Sequence, residues 1–191
     1  MFARAYWVFN RDQVDDLQET DDPVTPVVNR VEALAEVEHF VRATQAEIRI
    51  GGGQAFYDRP NDRIQMPEQH LFIGTETSDP THGWYSTLLH ELTHWSGASH
   101  RLNRVKGKRF GDKQYAFEEL VAELGSAYLC ADLGIANSPR EDHAHYLKSW
   151  IGLLKDDNRA FFRAAAQAQS ATNYLHQLQE DEKANTDQAV A

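Results

Sequence analysis

With 191 residues and 41% hydrophobic content, the chain can bury one sizeable core and is too short for two comfortable ones. Its formal charge of −10 argues against unaided binding to nucleic acid, because contacts to phosphate supply most non-specific affinity. No apolar run is long enough to span a bilayer, the start Met1-Phe2-Ala3-Arg4 lacks a signal-peptide apolar region, and a lone Cys130 excludes an internal disulfide, so a single-domain cytoplasmic protein without membrane contact is expected.

In chain order, Tyr6 to Phe9 alternates like a strand, and the acidic, proline-punctuated stretch from Asp12 to Pro26 reads as a linker. Residues 1–28 are thereby set apart from a domain expected over 29–179. Asn29 is placed to cap a first helix with Val31, Leu34, Val37, Phe40 and Val41 as its apolar stripe. Ile48-Arg49-Ile50 begins a strand before Gly51-Gly52-Gly53, a triplet without the Lys-Ser/Thr pair or following helix of a phosphate loop. Ala55-Phe56-Tyr57 and Arg63 to Met66 flank a Pro60-Asn61-Asp62 turn and predict a short antiparallel hairpin. Arg63 to Met66 is the candidate edge strand for an extended peptide to pair with.

His90-Glu91-Leu92-Thr93-His94 carries the chemistry. Residues i and i+4 lie one above the other on a helix, so both imidazoles can reach one divalent ion, while Glu91 lies round the curve, suited to taking a proton from an activated water. The surroundings read as helix. Asp79-Pro80 supplies a cap and a first-turn proline, Trp84, Leu88, Leu89, Leu92 and Trp95 follow at helical spacing, and Gly97 offers a stop.

A catalytic zinc usually takes three protein ligands and a water. A second helical segment opening at Tyr115 and ending near Gly134 offers Glu119 and Glu123 on one face, with Glu118 pointing about 100° away. Glu119 is the expected third ligand, Glu123 the acceptor for the outer N–H of His90, and Glu118 a solvated surface residue. Cys130, among Tyr128, Leu129 and Leu133, is an expected buried thiol. One Zn²⁺ per chain is expected, with manganese or nickel able to substitute. The arrangement resembles the gluzincins, peptidases in which a His-Glu-x-x-His helix is followed by a Glu-x-x-x-Asp or similar pair.

Arg101, Arg104, Lys106, Lys108 and Arg109 crowd the connection between these helices, reading as a solvated loop or as a basic lip that steers an acidic substrate. Beyond it, Leu147, Trp150, Ile151 and Leu154 share a face of a further helix, and a last helix runs from about Asn158 to Leu178. Residues 180–191 form a polar tail expected to be disordered. Strands first and helices after imply an α+β fold, a small antiparallel sheet under a helical layer.

Leu88 to Gly97, Ser99 to Arg104 and Tyr115 to Gly125, with His143, Tyr146, Trp150 and Leu154, resemble the C-terminal zincin-like metallopeptidase domain of the ArdC antirestriction proteins, carried by conjugative plasmids. The resemblance covers nearly the whole chain. In that family a single-stranded-DNA-binding domain precedes the peptidase domain; these residues hold no counterpart of it, so DNA binding is not expected. The resemblance implies peptide-bond hydrolysis on a peptide or protein substrate, a restriction-modification enzyme being one candidate partner. Glu91 would be the general base, and Tyr146 or His143 the donor to the oxyanion, by analogy with gluzincins that use a Tyr or His from outside the two metal helices. Two alternatives stand beside this: a non-catalytic antirestriction binding protein whose metal is structural, and a metal-dependent hydrolase acting on something other than peptide.

Overall fold

The computed structural model describes residues 28–74, 78–104, 113–135, 150–152, 154, 155, 157 and 159–190. The expected strand from Tyr6 to Phe9 and the linker to Pro26 lie outside them. Helix α1, Ala35–Ala43, buries Val37, Phe40 and Val41, as their spacing requires. It starts later than Asn29 suggested. Leu34 holds the cap position without a side-chain bond, and Asn29 instead accepts from the Val31 amide at 3.0 Å in an upstream turn. The helix start is pinned from a distance: the Tyr85 hydroxyl accepts from the Leu34 amide at 3.1 Å and donates to Glu38 Oε1 at 2.7 Å.

Three strands follow, β1 (Glu47–Ile50), β2 (Phe56–Asp58) and β3 (Arg63–Met66), in the order β1-β3-β2. The β2–β3 pair is the expected hairpin, with Tyr57 opposite Ile64, closed by a 3-10 turn at Arg59–Asn61 and by Asp62 in the left-handed region at φ 50°. The sheet is nevertheless mixed, because β1 pairs with β3 in parallel, Ile48 opposite Ile64. That pairing makes β3 the central strand. Arg63–Met66 therefore has no free edge to offer a peptide; among the described residues the outer strands are β1 and β2. Complete burial of Ile64 and Met66 is the physical reason, since two fully apolar side chains gain most where strands flank them on both sides.

Helix α2, Pro80–Ser96, crosses over the sheet. Asp79 caps it, accepting from the His82 amide at 2.9 Å, and Pro80 sits where no amide partner is needed. Its burial continues almost all round: Trp84, Tyr85, Leu88, Leu89, Leu92 and Trp95 pack inward while Ser86, Thr87, Thr93 and Ser96 are covered by the helices behind. Such a helix is a shared wall between two layers. Helices α3 (Lys113–Asp132) and α4 (Ala160–Val190) form the outer layer, meeting along Ala160, Ala164 and Ala168, whose small side chains let the axes approach. Cys130 is buried in the main core, as its apolar neighbours implied.

Where a disordered tail was expected from residue 180, α4 continues to Val190. Gln, Glu, Lys and Ala are good helix formers, and the turn leading into the extension is tied down, Gln179 Nε2 donating to the Phe40 carbonyl at 3.0 Å, with Glu182 3.8 Å from His39 at the surface beyond it. Trp150 is buried and donates from Nε1 to the Ala116 carbonyl at 3.1 Å, while Ile151, assigned to the same apolar face, is exposed. Residues 136–149 lie outside the described set. No described helix is long and apolar enough to cross a membrane.

Candidate metal centre

One helical turn separates His90 from His94 on α2, and their ring centroids are 4.8 Å apart. Across from them, the Glu119 carboxylate on α3 bridges both rings, Oε2 at 3.5 Å from His90 Nε2 and Oε1 at 3.5 Å from His94 Nε2. One ligand atom from each of the three residues lies within 4.8 Å of the others. Glu91 is also buried.

The two helices can come this close because Gly125 faces Thr93. A Cβ on Gly125 would stand 2.6 Å from Thr93 Cγ2, so any side chain there would force the helices apart. Thr93 is fully buried and donates to the Leu89 carbonyl at 2.9 Å, and Ser126 Oγ donates to the Ser86 carbonyl at 2.8 Å, adding a polar tie across the same seam.

The outer ring nitrogens face carboxylates. His90 Nδ1 lies 3.3 Å from Glu123 Oε1, the pairing anticipated from sequence, though it is an ion-pair contact without good hydrogen-bond alignment. His94 Nδ1 lies 3.2 Å from Glu118 Oε1. Glu118 is thus buried, not a solvated surface residue, because α2 lies across α3 broadly enough to meet two of its faces. Its second partner is Arg104, whose side chain is 5% exposed. Arg104 donates from Nη2 to Glu118 Oε1 at 2.9 Å, from Nε to Glu118 Oε2 at 3.2 Å, from Nη1 to Ser96 Oγ at 2.8 Å, and from Nη2 to the Thr93 carbonyl.

The expected solvated basic loop is therefore wrong for its first two arginines. Arg101 lies 3.7 Å over the Trp95 ring, donates to the Trp95 carbonyl at 2.7 Å and to Tyr57 at 3.2 Å, and forks onto Asp62, with Nη1 at 2.9 Å from Oδ2. Distant carboxylates, invisible in the local sequence, draw both guanidinium groups inward. Lys106, Lys108 and Arg109 lie outside the described residues. Gly97 ends α2 as expected, but at φ −85° it is not a left-handed stop; a Cβ there would meet the Arg104 guanidinium at 2.7 Å.

Burial alone would hold both imidazoles neutral, yet the carboxylates prevail. His90 is raised to about 10 by Glu119 and Glu123, and His94 is raised by Glu118 and Glu119. Conversely, burial would push Glu118 and Glu119 up, but the histidines, and for Glu118 also Arg104, bring Glu118 down to about 2 and hold Glu119 well below the ordinary carboxylate range. A buried pocket that stabilises positive charge among two imidazoles and a carboxylate fits a divalent cation, which would replace the ring protons.

Tyr146 and His143 lie outside the described residues. Of the remaining histidines, His82 is buried with Nδ1 at 2.6 Å from Ser78 Oγ, His70 pairs with its neighbour Glu68 at 3.1 Å, and His100 pairs with the distant Asp62 at 3.1 Å. Sequence reasoning missed Arg104 and Glu118. The signal available was a second carboxylate beside an expected ligand, which calls for a cation if it is buried.

The fold and this site define a class. Residues 35–167 match the family described as zincin-like metallopeptidase (MPTase-PolyVal), and the chain belongs to that family. Among solved structures it is similar to the antirestriction protein ArdC of plasmid R388, at 40% identity and 91% coverage of this chain, with TM-scores of 0.66 to the metal-free and 0.67 to the Mn(II)-bound form. It is also 42% identical over 185 residues to the Sinorhizobium fredii protein y4eC, covering 97% of this chain, and 38% identical over 170 residues to the Escherichia coli DNA primase TraC, covering 88% of it. The chain spans 57% of y4eC, 11% of TraC and 60–61% of ArdC.

Proposed function

We propose that this chain is a zinc-dependent metallopeptidase-like domain of an ArdC-type antirestriction protein, cleaving peptide bonds with Glu91 as general base. The observation that carries the reading is the convergence of His90 Nε2, His94 Nε2 and the Glu119 carboxylate, with Glu91 buried in the same turn of α2. These three residues would hold one zinc ion, and the Mn(II)-bound ArdC neighbour supports a divalent metal in this fold. The ion would supply Lewis-acid activation of a water and of the substrate carbonyl. Glu91 takes the proton from the attacking water and passes it to the departing amine. Tyr146 or His143 donates to the oxyanion. The substrate backbone would lie along β2, the outer antiparallel strand of the described sheet and the one beside α2, in place of the central β3. A restriction-modification enzyme is the proposed protein substrate, on the strength of the likeness to an antirestriction protein.

The test is metal analysis of the purified chain, followed by mass-spectrometric screening for cleavage of peptide libraries and candidate restriction subunits. The expected result is about one zinc per chain, with cleavage that Glu91→Gln abolishes while keeping the metal. A zinc-loaded protein whose cleavage pattern is unchanged by Glu91→Gln would refute the catalytic reading and leave a binding role with a structural metal.

A further inference from the structure

The two histidines are alike in sequence but not in what stands behind them. His90 is backed by Glu123; His94 is backed by Glu118, and Glu118 is in turn clasped by Arg104. We propose that Arg104 is a positioning residue for the metal centre, acting on His94 through Glu118. This rests on the metal reading above and deepens it.

The geometry gives the reason. Arg104 holds both oxygens of Glu118, and its other donors grip Ser96 Oγ and the Thr93 carbonyl, which belong to the same last turns of α2 that carry His94. Glu118 belongs to α3. The guanidinium thus fixes an α3 carboxylate in the frame of α2, and fixes it where Oε1 meets His94 Nδ1. An acceptor at Nδ1 selects the tautomer with its proton there and leaves the Nε2 lone pair aimed at Glu119 and the ion site. Planarity matters as much as charge, because a forked grip on a carboxylate requires two parallel N–H groups, which lysine lacks. The fold reserves the space for this: Gly97 is the residue whose Cβ would strike the Arg104 guanidinium at 2.7 Å, although its backbone angles suit any side chain. The hydrogen bonds of Arg104 run to Glu118, Ser96 and Thr93, so its path to His94 is through Glu118.

The experiment measures zinc affinity of the full chain by chelator competition and the ligand-field absorption of the cobalt-loaded protein, with metal-free thermal melts alongside. Arg104→Met is expected to lose about ten- to hundredfold in zinc affinity and to change the cobalt spectrum. Gly97→Ala, which displaces the guanidinium without removing it, should do the same in lesser degree, and Arg104→Lys should recover little. Glu118→Gln should lose a similar factor, and adding Arg104→Met to it should cost little more, since both act through one path. Unchanged affinity and cobalt spectrum in Arg104→Met would overturn the proposal, as would fully additive losses in the double variant. If Arg104→Met does not fold, Gly97→Ala and Glu118→Gln decide the question in the same way. A wild-type chain that takes up no zinc refutes the metal reading itself, an outcome distinct from zinc-binding variants that match wild type.

Discussion

Replacing Gly125 by alanine isolates how far the metal centre depends on helix spacing. The new Cβ would stand 2.6 Å from Thr93 Cγ2 and 2.7 Å from Thr93 Oγ1. Relaxed carbon contacts need about 3.5 Å, so α2 and α3 must part by about 1 Å at this point. Thr93 cannot swing aside, being fully buried and bonded to the Leu89 carbonyl. Overpacking of this kind costs roughly 1–3 kcal/mol, partly offset by the roughly 1 kcal/mol that alanine gains over glycine in a helix. The net loss of stability is therefore about 0–2 kcal/mol, whereas metal distances tolerate only about 0.2 Å. Glu119 rides on α3 and the histidines on α2, so zinc affinity should fall at least about tenfold, equal to about 1.4 kcal/mol. Thr93→Ala removes both close atoms, and the double variant should regain much of that affinity. Chelator competition with zinc, set beside thermal melts, reads both quantities. Wild-type affinity in Gly125→Ala, or no recovery in the double variant, would refute the spacing argument.

Glu119→Ala should cost more zinc affinity than either Glu118→Ala or Glu123→Ala in calorimetric titration; a larger loss from Glu118→Ala would mean that Glu118 is itself the ligand. Asp62 is held at about 2, below its ordinary 3.8, first by the fork from Arg101 and then by the Tyr57 hydroxyl. A depressed folded-state value gives stability that is complete above the unfolded value and lost as pH falls through the folded one. Asp62→Asn should accordingly lower the melting temperature at pH 7 by more than it does near pH 2, and an equal loss at both would contradict the pairing. The full chain should not bind single-stranded DNA at about 0.15 M salt, since two of its clustered arginines are spent on internal carboxylates. Micromolar binding in fluorescence anisotropy, weakened by Lys106→Glu with Lys108→Glu, would show that the segment after Arg104 is a nucleic-acid site.

The metal helix was legible because everything that makes it is local: a cap at Asp79, a first-turn proline, apolar spacing and two histidines four apart. Glu119 and Glu123 were legible for the same reason, as neighbours on one face of α3. Glu118 was not, because periodicity assigns residues to faces of their own helix and says nothing of what lies opposite. Arg101 and Arg104 looked solvated for a related reason, their partners Asp62 and Glu118 being remote in sequence. Central placement of β3 was hidden too: alternation marks a strand, but parallel pairing with β1 across an intervening hairpin is a tertiary event.

The ring of contacts among Tyr57, Asp62, Arg101 and Trp95 has a mechanical consequence for β2. It fastens the strand's far end to the residues that follow the metal helix, while the near end emerges from Gly52 and Gly53, Gly52 at φ 67° with open space around it. The strand is thus held twice, by its ladder to β3 from Phe56 to Asp58 and by the clamp beside Trp95. A displacement of Arg101 would therefore reach β2 through Asp62 and Tyr57 as well as the turn after α2.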